Sequence, residues 1–243
     1  MLTVTVLGCD GSHQGRGGAA SSYMVKDWES QTALLVDAGS GSYANYQRFF
    51  SLDELSAVFL SHSHPDHWSD IEGIAVSTKF TVGRALPLRL IAPAGLRKMV
   101  QHASGPAFEW EEVADGDKTG IGPMVLSFFA TDHIEGTLAV RVDCGGVAVG
   151  YSADTGSAWS PTVLGDDLDL FICEATSSIP YEDQYKHLSG RQAGRMASAI
   201  RPKRLMITHH LPVDDADEIL SEAEEAFGGP VIQASVGLGI TLP

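Results

Sequence analysis

The chain has 243 residues, 44% hydrophobic and 19% charged, and its 16 Lys and Arg against 31 Asp and Glu give a formal charge of −15. A chain of this length buries roughly 70 to 75% of the surface it exposes when unfolded, so it closes a core without staples. An acidic balance argues against a partner whose many phosphates would have to be neutralised by clustered cations. Cys9, Cys144 and Cys173 are odd in number and far apart, with no C-x-x-C pair, which points to a reducing compartment. The opening residues lack a basic segment and read as a strand, not a signal peptide. No apolar run is long enough to cross a bilayer, so the expected location is the cytoplasm, without a membrane partner.

In chain order, short β-rich runs predict strands over 2–7, 33–36, 57–60, 88–91, 124–129, 138–142, 147–151, 168–172, 204–207 and 231–233. Helical spacing appears over 67–80, 94–102, 191–200 and 215–227. Strands and helices mix without steady alternation, so two sheets with helices outside is the expected layer model. No linker or low-complexity tract divides 1–243, which reads as a single domain. The runs ending in Leu60-Ser61-His62 and Ile207-Thr208-His209 echo one another and suggest related halves facing each other. The basic cluster Arg191, Arg195, Arg201, Lys203 and Arg204 reads as a solvated helix face.

Several apolar runs stop at ionisable side chains: Asp37, His62, Asp154, Glu174 and His209. Loops at one end of a rigid sheet are where sites are assembled. The sharpest feature is His62-Ser63-His64-Pro65-Asp66-His67, three His and one Asp in six residues directly after a strand. In an extended segment residues two apart point the same way, so His62 and His64 can share one ion. Pro65 then ends the extended run, and Asp66 and His67 turn toward a second ion. Two-metal sites separate their ions by roughly 3.5 to 4 Å, and imidazole and carboxylate are suitable ligands.

This segment resembles the His-x-His-x-Asp-His signature of the metallo-β-lactamase fold superfamily, and the resemblance runs through most of the chain. Asp37 in Leu-Leu-Val-Asp-Ala-Gly is similar to the family's early strand-end Asp, and His133 in Thr-Asp-His to its third histidine. Asp154 in Tyr-Ser-Ala-Asp-Thr-Gly resembles the bridging aspartate, although Ala153 stands where the family usually has Gly. The resemblance implies a four-layer αββα sandwich. It also implies one ion on His62, His64 and His133, another on Asp66, His67 and His209, and Asp154 between them. His209 is preferred because it directly follows the strand-plus-Thr pattern, with the adjacent His210 left as the alternative. His13, His102 and His210 otherwise read as surface or supporting residues.

An oxygen and nitrogen ligand set without Cys suits phosphoester chemistry with two divalent ions, Zn²⁺ or alternatively Mn²⁺. Glu174-Ala175-Thr176 with His187-Leu188-Ser189 is similar to motifs of the tRNase Z branch, which implies that His187 assists the leaving group and Glu174 orients it. Asp66 is the further catalytic candidate. A plainer reading of this stretch makes Ser189 the N-cap of the following helix. His133 and Asp154 are only 21 positions apart, and two strands fill most of that interval, so the tRNA-binding arm of that branch does not fit. The pattern resembles compact bacterial cyclic-nucleotide phosphodiesterases, which implies a small-molecule phosphodiester substrate. Alternatives are a tRNase Z-like ribonuclease, a lactone, thioester or aryl-sulfate hydrolase, and a non-catalytic metal-stabilised binding protein. The resemblance alone leaves room for a homodimer.

Overall fold

The computed structural model describes residues 1–82, 87–213 and 216–243. The strands are β1 (Leu2–Gly8), β2 (Ser22–Asp27), β3 (Thr32–Val36), β4 (Ala57–Phe59), β5 (Leu88–Pro93), β6 (Phe108–Val113), β7 (Lys118–Ile121), β8 (Met124–Ala130), β9 (Leu138–Cys144), β10 (Val147–Tyr151), β11 (Leu170–Glu174), β12 (Leu205–Thr208), β13 (Val231–Gln233) and β14 (Gly239–Leu242). The α-helices are α1 (Ser42–Phe49), α2 (Pro65–Trp68), α3 (Ile71–Ser77), α4 (Gly190–Ile200) and α5 (Ala216–Phe227). One sheet has the order β14-β1-β2-β3-β4-β5-β6 and the other β13-β12-β11-β10-β9-β8-β7.

Burial explains the layering. Val4, Val6, Tyr23, Val25, Leu34, Val36 and Phe59 from the first sheet meet Leu126, Phe128, Val140, Val142, Val149 and Ile172 from the second in one shared core. Alternate residues of the same strands point outward, as the two-residue period requires. Leu35, Val58, Leu60 and Leu90 are covered by Tyr46, Ile71 and Ile74, while Phe171, Cys173, Leu205 and Ile207 are covered by Ala193, Ala197, Ile219 and Ala223. The result is the αββα sandwich of the metallo-β-lactamase fold.

Each sheet is built to one plan. β14-β1-β2-β3 is antiparallel and β3-β4-β5-β6 parallel. Likewise β7-β8-β9-β10 is antiparallel and β10-β11-β12-β13 parallel. The halves are therefore related, but this plan matches β4 with β11 and β5 with β12. The sequence echo instead paired β4 with β12, so it reflects a shared need for His at a strand exit and not equivalent places in the sheet.

Local differences from the sequence reading have physical causes. The expected helix over 94–102 is a single 3₁₀ turn, Leu96–Lys98, entered through Gly95 at φ 92°. The segment expected over 67–80 starts earlier, at Pro65, whose fixed φ suits a first helical position, and breaks into α2, α3 and a π-helical turn, Thr78–Val82. His64 is the N-cap residue of α2. The strand expected over 168–172 lies two residues later. Asp215, the expected start of the last helix, lies outside the described residues. Ser189 does cap α4, in a reciprocal capping box with Gln192.

The strands β1, β3, β4, β8, β10, β11 and β12 run the same way in their sheets, and their C-terminal ends gather along one edge of the sandwich. The left-handed turns at Asp37 (φ 57°), Ala153 (φ 50°) and His209 (φ 62°) all lie where β3, β10 and β12 give out. Strained non-glycine backbone concentrated at one place is a mark of a functional edge. At Ala153 the positive φ shows why glycine is the easier residue there.

Candidate metal centre

The loop after β4 delivers Leu60-Ser61-His62 into the gap between the sheets, and α2 carries Asp66 and His67 back across it. Gly39 allows the close packing that fixes α2: a Cβ there would stand 2.0 Å from the Asp66 carbonyl oxygen. His133 follows β8, Asp154 follows β10, and His209 follows β12.

Ligand atoms of His62, His64, His133 and Asp154 lie within 4.8 Å of one another, as do those of Asp66, His67 and His209. In the first group His64 Nδ1 is 3.1 Å from both His62 Nε2 and His133 Nε2. In the second, His209 Nε2 is 3.3 Å from His67 Nε2 and 3.3 Å from Asp66 Oδ2. Asp154 divides its carboxylate between them. Its Oδ2 is 3.5 Å from His62 Nε2 and 3.7 Å from His133 Nε2. Its Oδ1 is 3.3 Å from His67 Nε2 and 3.4 Å from His209 Nε2.

The outer nitrogens of four of these rings are tied down. His67 Nδ1 is 2.7 Å from Asp37 Oδ2 and His133 Nδ1 is 2.9 Å from the Lys186 carbonyl. Those partners only accept, so each Nδ1 donates and Nε2 turns to the cluster. Ser61 Oγ and Thr176 Oγ1 serve His62 Nδ1 at 3.0 Å and His209 Nδ1 at 2.8 Å. Both hydroxyls pass their own protons to carboxylates: Ser61 Oγ to Asp37 Oδ2 at 2.9 Å and Thr176 Oγ1 to Glu174 Oε2 at 2.6 Å. Such partners fix the tautomer and raise ligand basicity.

The buried Asp37 also accepts from the Ser61 amide at 2.7 Å and the Tyr151 hydroxyl at 2.8 Å. Glu174, equally buried, accepts from the Thr155 amide at 2.7 Å and the Leu188 amide at 3.2 Å, and its Oε1 lies 3.0 Å from His187 Nδ1. His187 stacks beside His209, with ring centroids 5.4 Å apart.

Electrostatics follow from this placement. Burial pushes the His62 imidazole down to about 4, helped by the charge on His67, and burial also lowers His64 and His133. The neutral, lone-pair-bearing ring is the form that ligates. Around His67, burial opposes the charged ring, but Asp154 and Asp37 outweigh it and raise its pKa well above the ordinary value. Burial also opposes a charge on His187, and Glu174 overcomes it, lifting that ring to about 9.

The donor set fits divalent cations. Asp154 Oδ1 is buried without a hydrogen-bond partner among the described residues while facing two imidazole nitrogens. A buried carboxylate oxygen left in that state costs free energy that a cation between these atoms would offset.

All seven residues expected as ligands from the sequence are brought together. His209 enters the cluster because its left-handed backbone turns it inward, whereas His210 faces Gln233, whose Nε2 is 3.2 Å from its Nδ1. Glu174 and His187 meet as a pair, within reach of Asp154 and His209. The sequence reading missed the parts played by Ser61, Tyr151 and Thr176. The hydroxyl residue before each strand-exit His was visible, but not its use as a bridge. Of the basic cluster, Arg191 pairs with Glu182, Lys203 with Asp169, and Arg204 donates to the Thr241 carbonyl.

Two stacked sheets inside helices, with a His and Asp cluster fed by strand ends of both, define a metal-dependent hydrolase of the metallo-β-lactamase fold. Residues 32–210 match the beta-lactamase superfamily domain, and the chain belongs to that family. It is 31% identical to an uncharacterized protein of Mycobacterium leprae over 95% of this chain and 85% of that one. It is 28% identical to the probable metallo-hydrolase YhfI of Bacillus subtilis over 97% of this chain and 98% of that one. The crystal structure of YhfI superposes with a TM-score of 0.90 at 26% identity, covering 98% of each chain. Human tRNase Z, short form, shares the fold with a TM-score of 0.79 at 19% identity, covering 99% of each chain.

Proposed function

We propose that this protein is a binuclear phosphodiesterase cleaving small, cyclic nucleotides. The carrying observation is the pairing of an oxygen and nitrogen cluster with His187, a further histidine held beside it by the buried Glu174. His62, His64 and His133 would hold one ion and Asp66, His67 and His209 the other, with one Asp154 oxygen for each. Zn²⁺ or Mn²⁺ suits these donors. When bound, such a pair ionises water near neutral pH and neutralises charge on a phosphoryl group.

The chain's own residues do the rest. Asp37, Ser61, Thr176 and the Lys186 carbonyl hold the imidazoles with Nε2 inward, so the cluster needs little reorganisation. Glu174 accepts a hydrogen bond from His187 Nδ1–H and favours the protonated ring, so that Nε2–H can give its proton to the departing alkoxide. Glu174 also supports His209 through Thr176, so one carboxylate serves both the ligand and the acid. Asp66, one of the residues that would hold the second ion, would also orient the attacking water through its carboxylate.

Several features favour a compact substrate over tRNA. Strands β9 and β10 fill the interval between His133 and Asp154, and the chain is strongly acidic. We read 1–243 as one hydrolase domain, since β14 returns to pair with β1. The buried, unpaired Cys9, Cys144 and Cys173 suit the cytoplasm. Among the described residues no helix is long and apolar enough to cross a membrane.

The test is a substrate panel on protein loaded with two equivalents of Zn²⁺ or Mn²⁺: 3',5'- and 2',3'-cyclic nucleotides, bis(p-nitrophenyl) phosphate, lactones, thioesters and aryl sulfates. Turnover of phosphodiesters is expected. Inert phosphodiesters alongside a hydrolysed lactone, thioester or sulfate would overturn the reading.

A further inference from the structure

Beside the metal centre lies a cavity of about 320 Å³, and its inner end is made by Thr176 and His187. Its remaining wall comes from Ser177, Tyr181, Gln184, Tyr185 and Leu211. These residues arrive together because the segment between β11 and α4 is pinned at both ends. Ser177 N–H donates to the Leu188 carbonyl at 3.2 Å and Gly190 N–H to the Ser177 carbonyl at 3.0 Å. Between those anchors a 3₁₀ turn, Ile179–Tyr181, and the Tyr181 carbonyl accepting from Gln184 N–H at 3.3 Å present both tyrosines on one rim.

Tyr181 is 52% exposed and Tyr185 75%, whereas Tyr23 and Tyr46 are fully buried. Two large rings left in water at the mouth of a cavity, with a leucine beside them, offer flat apolar area that none of the described elements covers. Among the described residues no Lys or Arg lines the cavity, so its chemistry suits a neutral, flat group and not a phosphate. The volume is at the small end of ligand pockets, which run from roughly 300 to 1,000 Å³.

We infer that this cavity receives the nucleobase of the substrate, stacked against Tyr181 and Tyr185. The inference rests on the phosphodiesterase reading, and it follows from where His187 stands. The group that protonates the departing oxygen must lie on the leaving-group side, and His187 forms the wall between the cluster and this cavity. The departing oxygen belongs to the nucleoside, so the base extends past His187 into the tyrosine-lined space. Stacking on aromatic rings tolerates any base, because each base has a π face. Gln184 anchors its Nε2 on the Pro180 carbonyl at 3.1 Å and adds a polar edge to the same wall.

Equilibrium binding of adenosine separates this claim from the catalytic one, because adenosine carries no phosphate to hydrolyse. Calorimetry on metal-loaded protein should show saturable binding, with ribose a far weaker competitor. Tyr185→Ala and Tyr181→Ala should each weaken adenosine by roughly tenfold, the order expected for loss of one stacking surface, and Tyr185→Phe should retain it. Both positions are solvent-facing, and circular dichroism would verify the fold. Identical adenosine affinity in wild type and both alanine variants, or no adenosine binding at millimolar concentration, would overturn the inference. Failure of the phosphodiesterase reading shows up elsewhere, as wild-type protein that binds adenosine but cleaves no phosphodiester.

Discussion

Asp37 Oδ2 lies 2.7 Å from His67 Nδ1, and both side chains are cut off from solvent. The carboxylate comes from the turn after β3 and the imidazole from α2, 30 positions later, so the bond ties the first parallel strand to the metal-facing helix. Aspartate is satisfied there by three further donor hydrogens, from the Ser61 amide, the Ser61 hydroxyl and the Tyr151 hydroxyl.

Asp37→Asn should therefore weaken metal binding without unfolding the chain. Removing a partner of this kind typically lowers metal affinity 10- to 100-fold. Competition against a chromogenic chelator would measure it, and wild-type affinity for both ions would contradict the role given to Asp37.

Asp154→Ala removes the carboxylate that, among the described residues, turns one oxygen to each histidine group. The variant should hold at most one ion per chain by elemental analysis, and hydrolysis of bis(p-nitrophenyl) phosphate should fall to background. Two retained ions with normal turnover would rule out a bridging position.

His187→Ala separates leaving-group protonation from metal binding. Turnover of phosphodiesters with alkoxide leaving groups should fall about 10²- to 10⁴-fold, the usual range for a lost general acid. Nitrophenolate departs without help, so bis(p-nitrophenyl) phosphate should suffer much less, and metal content should stay at the wild-type level. A matching loss on both substrates, or loss of an ion, would make His187 something other than an acid.

Gly39→Ala should damage the site through the backbone. The added methyl would meet the Asp66 carbonyl, which sits in α2 and cannot rotate away. A cost of about 1 to 3 kcal/mol is expected for overpacking of this sort, read from denaturant melts, together with reduced metal content. An unchanged midpoint would show that α2 moves more freely than its packing implies.

Far from the site, Lys26 is buried on β2 and pairs with Glu54, which is about one-third exposed. The Lys26 ammonium holds the Glu54 carboxyl below its ordinary value, and the Ser51 amide adds to this. A folded-state pKa below the unfolded value of 4.5 means the stabilisation is complete above that pH and is lost as pH falls through the lowered value. Glu54→Gln should cost about 1 to 2 kcal/mol at pH 7, less than a fully buried pair because water screens Glu54. The difference from wild type should shrink on acidification below pH 4.5, and a difference that stays constant to pH 3 would contradict the assignment.

Much of the fold was legible because apolar runs of strand length recur and each of the predicted runs marks a strand. Four strands escaped notice: the interior β2, whose Ser-Tyr-Met-Val-Lys-Asp carries a Lys and an Asp in a short apolar run, and β6, β7 and β14. β6 reads Phe-Glu-Trp-Glu-Glu-Val, with charges that protect a sheet edge, and β7 and β14 are four residues each. Helix α1, Ser-Tyr-Ala-Asn-Tyr-Gln-Arg-Phe, was missed because much of its length is polar and its main anchor is a single buried ring, Tyr46. The 94–102 segment looked helical by spacing, but Gly95 and the packing under Leu96 allow only one turn.

The amino-acid sequence, read with its family resemblance, pointed to the side chains that gather in the cluster, because His and Asp carried at or just beyond strand ends come together once those strands lie side by side. It preferred His209 to His210 on the strand-plus-Thr pattern alone, whereas a positive φ in the turn after β12 decides which ring faces inward. It could not reveal that Thr176 and Ser61 carry hydrogen bonds from imidazole to carboxylate, or that Tyr181 and Tyr185 rim one cavity with His187. Those relations join residues whose spacing has no period, and only the packing of two sheets with the loop between β11 and α4 brings them within reach.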